Sequence, residues 1–250
     1  MVQPRRRRTR TVPRAAKKQS GNRLLAALPP DEYARIRPHL TTVQLEQKQQ
    51  IALPNRRIEA VYFPIDSVTS VLAVTSDGGR VEIATIGNEG MAGLPVFLGA
   101  ESSPSHAFVQ VPGTAQRMTA EAFCREANGD GALRQLLQRY AQGFLNQVSQ
   151  ATVCNQRHSA GQRLARWLLA VQDRVGHEEF QLTHEFMGQM LGVRRETVSD
   201  VAGALQQRGL IRYRWGKLRV LDRPGLERAA CECYRIVRDE FERLLEAPNG

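Results

Sequence analysis

Leu182-Thr183-His184-Glu185-Phe186-Met187-Gly188-Gln189-Met190-Leu191-Gly192-Val193-Arg194-Arg195-Glu196-Thr197-Val198-Ser199 is the stretch on which the reading of this chain turns. Thr183 has a side chain suited to capping a helix. Phe186, Met187, Met190 and Leu191 then fall at helical spacing, so one face of a short helix is apolar. Gly192-Val193 supplies a tight turn. A second helix follows at once, with Val198, Val201, Ala202 and Leu205 on its buried side. Glu196, Ser199, Asp200, Gly203 and Gln207 are left facing outward, and Arg194 and Arg195 stand at its N-terminal end. Two short helices around a glycine turn, the second with a polar outer edge, predict a helix-turn-helix.

Helix pairs of this kind also occur where no nucleic acid is bound, so the next residues matter. Gly209 stops the second helix, and Leu210-Ile211-Arg212-Tyr213-Arg214 and Lys217-Leu218-Arg219-Val220-Leu221 alternate around Trp215-Gly216 as a hairpin. The alternation puts Arg212, Arg214, Lys217 and Arg219 on one face, where they can neutralise phosphates beside a groove. A basic wing directly after a helix-turn-helix predicts a winged DNA reader.

Upstream the texture changes. From Val43 to Met118 short β-type runs (Ala60 to Phe63, Val68 to Val74, Val81 to Ile86, Phe108 to Val111, Thr114 to Met118) alternate with turn clusters such as Ser76-Asp77-Gly78-Gly79. Closely spaced strands with glycine turns predict a sandwich or jelly roll of roughly eight strands. Before them, Arg23 to Arg37 suggests one or two short helices broken at Pro29-Pro30, the second capped by Asp31. After them, Leu133, Leu137, Tyr140, Phe144, Gln147 and Ala151 step by fours and threes between Asp130 and Arg157. That heptad-like seam, broadened by Leu136, Leu145 and Val148, predicts a long helix that dimerises; a core helix in a monomer is the alternative. The expected organisation is a basic disordered tail over 1–21, a jelly-roll sensor over 22–129, a dimerisation helix over 130–157 and a winged helix-turn-helix with a C-terminal helix over 158–250. The fold class is α+β.

The 250 residues carry a net charge of +10, unevenly spread. Residues 1–23 hold nine basic side chains and no acid, in a segment with little apolar surface to bury. Residues 155–223 hold twelve basic and seven acidic groups, a smaller excess that lies in foldable sequence. No apolar run is long enough to span a bilayer, and the basic start lacks the apolar stretch of a secretory signal. A cytoplasmic protein without a membrane partner is expected.

Cys124, Cys154, Cys231 and Cys233 suggest no disulfide framework, and buried thiols are expected. The last two lie in a helical pattern, where residues two apart point to different faces, which argues against a shared metal. His39, His106, His158, His177 and His184 show no metal-ligand spacing. Neither a metal nor a cofactor is expected, and no enzymatic role.

The segment from Leu182 to Ser199, with Arg195-Glu196-Thr197-Val198 opening its second helix, resembles the helix-turn-helix of the Crp/Fnr family of bacterial regulators. The likeness runs from Asn22 to about Leu245. It implies a cyclic-nucleotide-binding-like jelly roll, a dimerisation helix and a winged domain that reads a palindromic operator in double-stranded DNA, with RNA polymerase as a further partner. By the same resemblance Arg195 would donate to guanine O6 and N7 and Glu196 accept from cytosine N4, with Ser199 and Asp200 on the same base-reading edge. Thr183, Gln189, Arg194 and Thr197 would hold phosphates, joined by Arg212, Arg214 and Lys217 of the wing. Asp200 stands where cyclic-AMP-type members have a third base-reading arginine, and Arg194 replaces a small capping residue, so a different operator is implied.

The sensor departs further. Where cyclic-AMP-binding members carry Gly-Glu-Leu and Arg-Ser-Ala or Arg-Thr-Ala, this chain has Ala92-Gly93-Leu94 and Ser105-His106-Ala107. Both ligand-binding charges are missing, so cyclic AMP is not the expected ligand and the effector is an unknown small molecule, if there is one. His106 could meet an anion at the old phosphate position, although a solvated or hydrogen-bonded side chain is the plainer reading. The clustered N-terminal cysteines of the oxygen-sensing members are missing too. Two competing functions are a cupin-like enzyme with a helical appendage, for which only His106 could serve as a strand-borne ligand, and a tail-driven, nonselective nucleic-acid binder.

Overall fold

In a computed structural model, which describes residues 21–246, the β-type runs form two sheets. The segment 1–21 lies outside the described residues, save Gly21. One sheet has the order β1 (Thr41–Leu45), β7 (Gly113–Thr119), β3 (Ala60–Pro64). The other has β2 (Gln50–Ala52), β6 (His106–Val111), β4 (Val68–Val74), β5 (Arg80–Ile86). Leu45, Val109 and Ala115 pack between them. All the pairings are antiparallel and most neighbours are not consecutive in sequence, as in a jelly roll. Seven strands form where roughly eight were expected.

Short helices α1 (Arg23–Ala26) and α2 (Pro30–Ile36) precede the sheets, α3 (Leu94–Phe97) interrupts them and α4 (Ala120–Ala127) follows. Asp31 does not cap α2: the helix opens at Pro30, a residue preorganised for the first helical position, and Asp31 sits inside the first turn. The long helix α5 (Ala132–Arg157) begins after Gly131, whose lack of a side chain leaves the first amides uncapped. Glu32 takes that role from α2, its carboxylate accepting from the amides of Ala132 (2.6 Å) and Leu133 (2.9 Å).

Beyond α5 lie α6 (Ala160–Val175), β8 (Glu179–Gln181), α7 (His184–Leu191), α8 (Arg195–Gln207), β9 (Ile211–Arg214), β10 (Lys217–Val220), α9 (Arg223–Ala229) and α10 (Cys233–Leu245). The wing is a three-stranded sheet in the order β8-β10-β9 rather than a bare hairpin. The third strand escapes sequence reading because it is three residues long with one apolar side chain, Phe180.

The α5 seam is corrected by α10. Leu133, Leu137, Tyr140 and Gln147 are buried within the chain itself, and Phe144 and Ala151 are half-buried. Tyr140 donates to the carbonyl of Met91 at 2.9 Å, and its ring lies 6.2 Å from that of Phe241 on α10. Gly143 lets α10 approach: a Cβ there would come within 2.8 Å of the Phe241 ring. The heptad-like stripe therefore meets the jelly roll and α10. The row left outside is Gln138, Gln142, Leu145, Ser149 and Thr152, which also steps by fours and threes.

Candidate nucleic-acid interface

Thr183 caps α7, its hydroxyl oxygen accepting from the amide of Phe186 at 3.2 Å. Gly192 takes the left-handed conformation (φ 62°) that ends α7 and sets up the turn. Helix α8 opens after Arg194, which makes no side-chain capping bond. Val198, Ala202 and Leu205 are buried, and Arg194, Arg195, Glu196, Ser199 and Asp200 are exposed along one edge. Burial of the apolar stripe fixes which side of α8 faces solvent.

Two aromatic rings lock this edge to its neighbours. His184 stacks on Tyr213 of β9 with ring centroids 4.5 Å apart, and its Nδ1 lies 3.0 Å from the Ser199 hydroxyl. Ser199 is also 3.1 Å from the carbonyl of Arg195, so its hydroxyl is engaged inside the protein. Burial, then the charge of Arg195, holds the His184 ring below the usual histidine pKa.

On the wing, Arg214 lies opposite Lys217 and Arg212 opposite Arg219, so all four cations share a face. The third strand and the residue before it temper them: Glu179 lies 3.6 Å from Lys217 and Glu178 2.9 Å from Arg219. Among the described residues no carboxylate pairs with Arg194, Arg195, Arg212 or Arg214. Trp215 and Gly216 both have positive φ (51° and 75°), the conformation of a tight two-residue hairpin turn. The indole of Trp215 is 85 % exposed at the tip, with the Arg214 guanidinium 4.1 Å from its ring centre. In the sequence, Trp215 stands out only as a turn residue.

Arg80 was missed as well. With Gln189, Arg194, Arg195 and Thr197 it lines an open groove where the β4–β5 hairpin meets the start of α8. Thr183 and Gln189 also border a cleft that holds Lys48, Arg80 and His106. No sequence signal links Arg80 to residues more than a hundred positions away; only the docking of α7 on β5 brings them together.

In the jelly roll, Ala92, Gly93, Leu94, Ser105 and Ala107 line a cavity of about 250 Å³ together with Phe144 and Leu145 of α5. No ionisable side chain is among its lining residues. His106 points the other way, as alternation along β6 requires, and bonds to Gln50. That bond agrees with the plainer reading of His106 as a hydrogen-bonded side chain, and its ring lies outside this cavity.

The outer face of β4, β5 and β6 carries the C-terminal helices. Phe108 meets Phe186 edge-on, with ring centroids 5.7 Å apart. Arg174 of α6 is paired with Glu89 at 2.8 Å, both side chains buried, and donates to Gln147 (3.2 Å) and the carbonyl of Thr85 (3.3 Å). Glu82 accepts from Ser70 (2.7 Å) and from the indole of Trp167 (3.2 Å). Burial pushes its carboxyl up to about 7, against the opposing pull of Ser70, Arg166 and Arg174.

Cys154, Cys231 and Cys233 are buried, as expected, but Cys231 and Cys233 do not share a helix. Helix α10 starts at Cys233, so Cys231 lies in the turn before it and the two side chains do not diverge as they would along one helix. Cys154, Cys231 and Cys233 form a buried cluster of their own.

Residues 162–229 match the Crp-like helix-turn-helix domain. No curated protein sequence matches the chain. Among solved structures, FixK2 from Bradyrhizobium japonicum is similar with a TM-score of 0.65 and 19% identity, over 77% of this chain and 98% of that one. TTHB099, a transcriptional regulator of the CRP family from Thermus thermophilus, gives 0.63 and 20%, over 75% and 96%. The c-di-GMP responsive global regulator CLP from Xanthomonas campestris gives 0.61 and 12%, over 78% and 100%.

Proposed function

We propose that this chain, which carries a match to the Crp-like helix-turn-helix domain on a fold shared with Crp/Fnr regulators, is a DNA-binding transcription regulator of that type and acts as a cytoplasmic homodimer on a palindromic operator. The observation that carries the proposal is the edge of α8: Arg195, Glu196 and Asp200 project to solvent from a helix whose opposite stripe is buried. Arg195 and Glu196 suit guanine and cytosine in the major groove. Asp200 repels phosphate and favours a cytosine amino group at the outer position, while Ser199 contributes by holding His184. Thr183, Gln189, Arg194, Thr197, Arg212, Arg214 and Lys217 serve phosphates. The protein acts by binding, with RNA polymerase as the partner at the promoter.

Dimerisation uses the outer row of α5, because its inner stripe is already occupied. The effector is a mainly apolar, uncharged molecule: burying a cyclic phosphate in a cavity without a cation would carry a large desolvation cost. Because Phe144 and Leu145 line that cavity, its occupancy would be felt at α5.

Selection of bound duplexes from a random pool by the full chain tests the central reading. Enrichment of an inverted repeat with half-sites about 34 Å apart is expected. A pool without enrichment, or equal affinity for the enriched and scrambled duplexes, would overturn it.

A further inference from the structure

Where the last turn of α5 meets the first turn of α10, four side chains converge in a way that neither helix packing nor DNA binding requires. Cys154 and His158 are four residues apart at the end of α5 and so share a face. Cys231 and Cys233 flank Glu232, the N-cap of α10. The Sγ atoms of Cys154 and Cys231 are 3.5 Å apart, and Cys233 Sγ is 3.5 Å from His158 Nδ1. All four donor atoms lie within 4.8 Å of one another.

We propose that Cys154, His158, Cys231 and Cys233 form a tetrahedral site for one thiophilic divalent cation, zinc by preference. Zinc bonds of about 2.3 Å to sulfur and 2.0 Å to nitrogen set sulfur-to-sulfur edges of about 3.8 Å and sulfur-to-nitrogen edges of about 3.5 Å. The observed separations need only small side-chain adjustments to reach them. A donor set confined to 4.8 Å leaves room for a single ion and not for an iron-sulfur cluster. Three thiolates and an imidazole are soft ligands that select zinc over magnesium or calcium. Binding releases the thiol protons to solvent.

The surroundings are built for that set. Glu232 lies 3.2 Å from His158 Nε2, the carboxylate-to-imidazole contact that fixes a ligating histidine with its other nitrogen toward the metal. Gln150, one turn earlier in α5, donates to Cys233 Sγ at 3.1 Å. The cation of Arg166 acts on Cys154 and offsets the negative charge of a three-thiolate centre. Cys154, Cys231 and Cys233 are buried, which favours a closed, structural site with four protein ligands. The metal would tie the end of α5 to the start of α10, beside the Ser159 cap from which α6 leaves.

Metal analysis of the untagged full chain, isolated under reducing conditions, tests this directly. About one equivalent of zinc per chain is expected. Stripping it and adding cobalt(II) should give intense visible bands of tetrahedral cobalt with a thiolate charge-transfer band in the near ultraviolet. His158→Gln and Cys233→Ser should each lower the content at least about tenfold, and Cys124→Ser should leave it unchanged. If Cys233→Ser does not fold, the wild-type cobalt spectrum and His158→Gln still decide. Metal below about a tenth of an equivalent with only the weak spectrum of octahedral cobalt would overturn the proposal. So would a Cys154–Cys231 disulfide in peptides of protein alkylated at lysis and isolated without reductant, which would assign the cluster to thiol redox chemistry.

Discussion

The indole Nε1 of Trp167 donates to the carboxylate of Glu82 at 3.2 Å, joining α6 of the winged half to β5 of the jelly roll. Both side chains are buried, and Arg166 and Arg174 of α6 and Ser70 of β4 face the same carboxylate. With a pKa raised from 4.5 to about 7, Glu82 holds a proton in the folded chain over a range where the unfolded chain has lost it. Its contribution is fully present below 4.5 and is lost as pH rises toward 7, about 3 kcal/mol at most. His106 and His184 are both held below the ordinary histidine value and act with the opposite sign, losing stability as pH falls. The difference between wild type and Glu82→Gln therefore isolates the carboxyl. Unfolding followed by Trp167 fluorescence should show the wild type falling relative to the variant between pH 4.5 and 7. Parallel profiles would refute a titrating Glu82.

Arg174 and Glu89 make the second tie across the same joint. Their charges are buried at 2.8 Å, with Arg174 shared between Gln147 of α5 and the Thr85 carbonyl. Removing the guanidinium alone leaves a buried carboxylate uncompensated. Arg174→Met should cost about 3 to 5 kcal/mol in urea unfolding, and the double variant Arg174→Met with Glu89→Leu should regain most of it. Equal losses in the single and double variants would contradict this account.

Base reading and phosphate neutralisation separate by salt and sequence. Arg195→Ala should weaken operator binding by about 1 to 3 kcal/mol and relax the preference at one base pair. Lys217→Ala should weaken all duplexes alike, with a change in salt slope of less than about one, because Glu179 already offsets part of that charge. Trp215→Ala, at an exposed tip, should leave unfolding unchanged and lower affinity without changing sequence choice. Fluorescence anisotropy against matched and scrambled duplexes at two salt concentrations distinguishes the three. An Arg195→Ala loss that is the same on both duplexes would remove its base-reading role.

How far the sequence discloses the molecule depends on whether a feature is local. The caps and turns at Thr183, Gly192 and Gly209 are set by neighbouring residues, and the quoted β runs match observed strands to within two residues at each end. The exposed edge of α8 follows from the burial of Val198, Ala202 and Leu205 three and four residues apart. What failed was long-range. A heptad-like stripe on α5 does not say whether a twin helix or α10 will cover it, because Tyr140 packs on Phe241 as readily as on a copy of itself. Arg80, Glu82 and the cysteine cluster are brought into place by elements far apart in the chain, and no spacing rule reaches that distance.

The two faces of α5 differ in burial, which makes the mode of assembly testable. Leu137 is fully buried among residues of its own chain, so Leu137→Ala should cost about 2 to 5 kcal/mol in unfolding whatever the oligomeric state. Leu145 belongs to the outer row and is 59 % exposed. A dimer built on that row would bury it against its twin, and Leu145→Arg would set like charges face to face there. Sedimentation should find the Leu145→Arg protein shifted to monomer at concentrations where the wild type is dimeric, with its monomeric unfolding little changed. A monomeric wild type, or a Leu145→Arg protein that stays dimeric while Leu137→Ala dissociates, would move the interface off the outer row of α5.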